Sequence, residues 1–203
     1  MKQIFKTKWL LLLVLTSFAC NDDYFVNGGD PDGTVDMNNY DFLLSNPDAF
    51  SELIKVIDKT GQQAVVNKED ITFFAVQNES ILTFLGSQDI KSVEDADEVQ
   101  LTDLLQKYIF DGKQLRNDFS TGVGDDYLTV GSDDMNVKIV IADYKGVQNV
   151  GARNIVYTDN NLFDSLKAAK KDTRPAETLV TTGDIQTTNG VIHIIEPSHK
   201  FGF

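Results

Sequence analysis

The stretch Asp184–Glu196, "DIQTTNGVIHIIE", is two apolar-rich runs divided by an Asn-Gly pair. Asn189-Gly190 predicts a two-residue type I′ hairpin turn, because both residues tolerate a positive φ. In the second run Val191, His193 and Ile195 share one face, and Ile192 and Ile194 share the other. With both faces apolar the strand reads as internal to a sheet. His193 then sits between aliphatic neighbours. It is expected to be a buried neutral imidazole that packs rather than a group that reacts.

Upstream of this hairpin the text changes character. "SNPDAFSELIKVIDKTG" reads as a helix: Asn46 as its cap, Pro47 at the first helical position, and Phe50, Leu53, Ile54 and Ile57 at i, i+3, i+4, i+7. Tyr40, Phe42, Leu43 and Leu44 suggest a short helix before it, and Gly61 can end it. "DITFFAV" (70–76) is β-branched and aromatic, hence a buried strand. Asn78 is expected to cap a short helix carrying Ile81, Leu82 and Leu85, with Gly86 as its stop. "DEVQLTDLLQKYIF" puts Leu101, Leu104, Leu105 and Tyr108 on one helical face. Beyond Asp111 come short β-like runs, "DYLTV", "NVKIVIA", "NIVYT" and "TLVTT", divided by Gly, Asn and Asp. Helices early and strands late point to an α+β fold rather than alternating βαβ units.

The N-terminus carries different information. Residues 1–19, "MKQIFKTKWLLLLVLTSFA", have a basic start (Lys2, Lys6, Lys8) and a short apolar run, as a signal peptide does. Cys20, the only cysteine, follows Ala19 directly. It reads as a lipidation site, the other reading being a lone thiol beside an ordinary cleavage site. "SFAC" resembles a bacterial lipobox, and the "NDD" after it resembles the surface-export signal of Bacteroidetes lipoproteins. Residues 20–38 are rich in Gly, Asp and Asn and read as a flexible acidic tether, leaving 39–203 as one domain. "DPDGTVD" within the tether lacks the spacing of an EF-hand loop. From Cys20 onward there are 15 basic and 31 acidic residues, a formal charge of −16. Such a surface disfavours nucleic acid as a partner.

No catalytic motif stands out. There is no G-x-S-x-G, no P-loop and no Cys/His cluster. The histidines are His193 and His199, and Pro197 lies between them, so they do not form a helical metal pair. No cofactor or metal is expected. Asp125-Asp126 and Asp133-Asp134 flank an expected hairpin, where they either share a cation or are simply solvated.

Three ordered motifs resemble the fasciclin domain family, over about residues 40–196. "ITFFAVQNESI" is similar to its first motif in Phe74, Ala75, Asn78 and Glu79. "LTDLLQKYIFDG" is similar to the approach to its Tyr-His pair in Leu104, Leu105, Tyr108 and Gly112, but Ile109 stands in place of the histidine. "DIQTTNGVIHIIE" matches the closing motif in Ile185, Asn189, Gly190, Val191, Ile192 and His193. The resemblance implies a wedge of helices on a β-sandwich-like core, and a non-enzymatic module for adhesion to cells, matrix or glycans. The missing histidine bears against any adhesion mode that uses that pair.

The segment 144–177 is longer than the family pattern and holds Lys145, Arg153, Lys167, Lys170, Lys171 and Arg174. Lys167, Lys170 and Lys171, with Tyr144 and Tyr157, are the candidate contact for a glycan or outer-membrane protein partner. The leading expectation is a surface-exposed outer-membrane lipoprotein that reaches the membrane through its lipid anchor. An accessory subunit of an outer-membrane glycan-uptake complex is the alternative, and a hydrolase using acidic side chains comes last.

Overall fold

The computed structural model describes residues 33–203. The signal-peptide reading and Cys20 lie outside them. Six helices and seven strands follow in the order α1 (Asn39–Leu44), α2 (Pro47–Lys59), α3 (Gln63–Val66), β1 (Ile71–Ala75), α4 (Asn78–Ser87), α5 (Glu98–Gln106), β2 (Ile109–Asp111), β3 (Asp125–Leu128), β4 (Asp134–Ile141), β5 (Arg153–Asp159), α6 (Asn160–Ala168), β6 (Glu177–Gln186) and β7 (Gly190–Ile195). The strands form one mixed sheet ordered β2-β1-β7-β6-β5-β4-β3, with β1 parallel to β7. This is an α+β fold.

β6 gives the sheet its shape. Its start pairs with β5 (Thr158↔Glu177, Val156↔Leu179), and the rest pairs with β7 (Val180↔Ile195 to Gln186↔Val191). Register shifts between Val180 and Ile185 bend the strand, and Asp184 takes a φ of 65° there. Bulges of this kind raise local twist and re-aim a strand. The sheet therefore splays into two leaves that share β6. At the opposite edges the Val130 N–H reaches the Ile109 carbonyl at 2.8 Å, so the wedge comes near to closing as a barrel.

The core lies between the leaves and the helices. Phe74 is at its centre, stacked on Tyr157 at 4.1 Å between ring centroids and packed on Phe110 and His193. β1 and β7 are buried along their whole length, which explains their unbroken apolar text.

Several local expectations give way to tertiary contacts. Neither Asn189 nor Gly190 has a positive φ, so the hairpin is not type I′. The Asn189 amide instead accepts from the Asn39 N–H (2.8 Å) and donates to the Lys68 carbonyl (3.0 Å). A Cβ on Gly190 would lie 2.6 Å from the Ile71 carbonyl oxygen. The pair therefore seats α1 and β1 against β7 rather than making a turn. Asn46 makes no side-chain cap and donates to the Phe42 carbonyl. Asn78 is the first residue of α4; its side chain accepts from the Glu52 N–H and donates to the Asp48 carbonyl, clipping α4 to α2. Gly86 lies inside α4, and Tyr108 lies beyond the end of α5. Residues 33–38, read as tether, run beside β6: Gln186 donates to the Gly33 carbonyl and accepts from the Val35 N–H. α6 breaks the helices-first order.

Candidate functional site

The buried titratable groups are tied into the fold. His193 is fully buried; its Nε2 faces the Gln114 carbonyl at 2.9 Å, and its Nδ1 accepts from the Asp184 N–H at 3.2 Å. That pattern places the proton on Nε2. Burial pushes its pKa down to about 4, partly opposed by the Gln114 bond and by Asp184. Tyr108 is fully buried and sits between the Gly202 N–H, which it accepts, and His199 Nε2, which it faces at 2.7 Å. One hydroxyl proton is available, so Tyr108 donates to His199. Burial lowers His199 to about 3 and raises the Tyr108 hydroxyl well above the ordinary phenol range. The histidine missing from the position after Tyr108 is thus met in space by one from the tail, a pairing that no local spacing reveals. Phe201 and Phe203 stack on Tyr108 and hold the tail in place.

The five candidate contact residues do not converge. Tyr157 is fully buried, and its hydroxyl donates to the Lys107 carbonyl. It is a core residue because it falls on the inward face of β5, against Phe74. Tyr144 is 56% exposed, on the loop joining β4 to β5. Lys167, Lys170 and Lys171 are exposed at the end of α6, which follows the other end of β5. The β4–β5 register from Met135↔Asp159 to Ile141↔Arg153 separates the two places by about 20 Å, at about 3.4 Å per residue.

α6 is the element the strand-rich reading of the C-terminal half missed. Its signal is Asp159, whose carboxylate caps the helix through the Leu162 N–H and also accepts from Lys107 Nζ at 2.9 Å. Leu162, Phe163 and Leu166 follow at helical spacing. Burial works against the charge on Lys107, but Asp159 and Asp133 outweigh it and raise its pKa. No residue of α6 is fully buried. Leu162, Leu166 and Phe203 line a groove of about 540 Å³, with Arg174, Lys200 and Glu196 among its polar residues. Lys167 lies 6.0 Å from the Phe163 ring, within cation–π reach.

At the β3–β4 hairpin Asp125 and Asp126 take different partners. Asp125 accepts from the Ser120 N–H, while Asp126 accepts from Asn136 and Asn160, which lower its pKa. Asp133 lies 3.5 Å from Lys107. Among the described residues no cluster of His, Cys, Asp and Glu is arranged to hold a metal ion, and no helix is long and apolar enough to cross a membrane.

A wedge of helices on a splayed seven-stranded sheet, with both histidines buried and tied into the fold, defines the class of scaffold. The match to the fasciclin domain family runs over residues 48–197, and the chain belongs to that family. Its fold is similar to a FAS1 domain pair from the insect cell adhesion molecule Fasciclin I, with a TM-score of 0.51 and 14% identity, covering 76% of this chain. It spans 45% of that protein's length. No curated protein matches the sequence. Fasciclin domains are known as cell-adhesion modules and are generally not enzymes.

Proposed function

We propose that this protein is a lipid-anchored adhesion module at the outer membrane, held through Cys20. It contacts a glycan or an envelope protein through the face formed by α6 and the tail. One observation carries the choice of face. The apolar side of α6 is only half covered and lines a groove, while Lys167, Lys170 and Lys171 stand exposed beside it on a strongly acidic protein. Loops and peripheral elements on a rigid scaffold are where binding variation collects. Cations against a field of opposite sign draw an acidic glycan or acidic protein surface there first.

Two experiments test this. Metabolic labelling with a lipid precursor should mark the wild type and not Cys20→Ala; equal labelling ends the anchor reading. Charge reversal at Lys167, Lys170 and Lys171 should remove envelope partners recovered at low salt without changing the unfolding midpoint. An unchanged set of partners would remove α6 from recognition.

A further inference from the structure

A second exposed surface lies at the other end of β4 and β5. Tyr144, Val147 and Val150 are each 56% exposed, and Val140 is 43% exposed. The first three sit on a well-defined hairpin tip, and Val140 lies in β4. Tyr144 and Val147 exchange both backbone hydrogen bonds at 3.0 Å. Lys145 and Gly146 between them have φ of 50° and 81°. This is the type I′ geometry that sequence reading assigns to Asn189-Gly190. The neck is tied as well: Gly151 donates to the Ala142 carbonyl at 2.7 Å, where a Cβ on Gly151 would lie 2.6 Å from that oxygen. The Asn149 N–H is taken by the Asp143 carboxylate. Three large apolar side chains are thus presented on a braced tip.

Its position says what covers it. β6 runs from Glu177, beside the end of β5 that leads into α6, toward Gln186. β5 runs the opposite way, so its Arg153 end and the tip lie toward the Gln186 end. The Ile155 side chain still reaches β6 at Gly183, where a Cβ would lie 3.3 Å from it. Gln186 is also where the described chain enters the domain, through its bonds to Gly33 and Val35. The tip and the entry of the tether therefore share one pole, and α6 occupies the other. Asn21 to Asp32 is 12 residues, a reach of at most about 40 Å.

We propose that the Tyr144–Val150 tip rests on the phospholipid surface to which the tether leads, with Tyr144, Val147 and Val150 entering the headgroup–acyl boundary. Tyrosine suits that boundary, with an apolar ring and a polar hydroxyl. Lys145 and Arg153 bring cations to the tip of an otherwise acidic protein. This pose turns the α6 face outward. It rests on the anchored reading above.

The chain from Cys20 onward, which retains every described residue, has no tryptophan, because Trp9 is the only one. Val147→Trp therefore makes a single reporter. The Cys20 thiol, the only one in the chain, can be coupled to a maleimide-headgroup lipid in phosphatidylcholine vesicles. The tether is then supplied chemically, whether or not cells lipidate it, so failure of the labelling experiment and failure of this one are separate results. Emission from Val147→Trp should shift to the blue on coupling and be quenched by brominated acyl chains. A Lys167→Trp reporter on α6 should stay open to aqueous acrylamide, and Tyr144→Asp with Val150→Asp should abolish the shift at Val147→Trp. Equal acrylamide quenching of Val147→Trp on vesicles and free in solution overturns the proposal. That result would also be expected if the tip were covered by a protein.

Discussion

Replacing Asn189 by glycine separates a turn from a buried anchor. In a type I′ turn the change is harmless, because glycine accepts the positive φ at least as well as asparagine. Here Asn189 is 3% exposed, and its side chain accepts from the Asn39 N–H at 2.8 Å and donates to the Lys68 and Val66 carbonyls at 3.0 and 3.3 Å. Losing the two shorter bonds costs about 1 kcal/mol each, and the Asn39 N–H left buried without a partner adds about 1 kcal/mol or more. Asn189→Gly and Asn189→Ala should therefore both destabilise by about 3 kcal/mol. At about 2 kcal/mol per molar urea, the midpoint falls by about 1.5 M. Equilibrium unfolding in urea, followed by circular dichroism, reads this directly. If Asn189→Gly keeps the wild-type midpoint while Asn189→Ala loses it, the turn explanation is right and the anchor explanation fails.

Other outcomes follow from the same contacts. Gly190→Ala should destabilise by about 1–3 kcal/mol, because its Cβ meets the backbone oxygen of Ile71 rather than a side chain that can move; an unchanged midpoint would show that β1 and β7 can part. His193 and His199 have folded pKa values near 4 and 3, below the ordinary 6.5, so acid protonates the unfolded chain first. Stability from both is intact above about pH 6.5 and lost as pH falls toward 4 and then 3, on the order of 3 kcal/mol from His193 at about 1.4 kcal/mol per unit. Urea midpoints across that range should fall less steeply in His199→Gln, and an unchanged slope would exclude His199 as a source. Tyr108→Phe removes the partner of both His199 and the Gly202 N–H, so residues 197–203 should lose hydrogen-exchange protection while β1 keeps its own.

Much of this molecule was readable from local pattern. The helix at 47–59 announces itself by Pro47 and the spacing of Phe50, Leu53, Ile54 and Ile57; three of these four are buried with Val56, and Ile54 is only partly covered. β1 and β7 are continuous apolar runs because both faces of those strands are covered. The burial of His193 was legible for the same reason, since alternate residues on a doubly covered strand have nowhere else to go. Tyr157 was not legible. An aromatic in a period-two run faces in or out according to register, and register was settled by pairing with Val137 on β4 and Thr178 on β6.

Local sequence determined most of the element types, the strong charge and the membership implied by three ordered motifs, because these depend on composition and short spacings. Tertiary structure decided the use of the buried polar groups far apart in the chain. Asn189-Gly190 became an anchor because Asn39 and Ile71 approach it from far along the chain, and Lys145-Gly146 became the type I′ turn because β4 and β5 meet there. His199 became the partner of Tyr108 because the tail folds back across 91 residues. A side-chain amide, hydroxyl or imidazole bonds to whatever lies within about 3 Å, and for a buried group that neighbour is set by packing rather than by sequence distance.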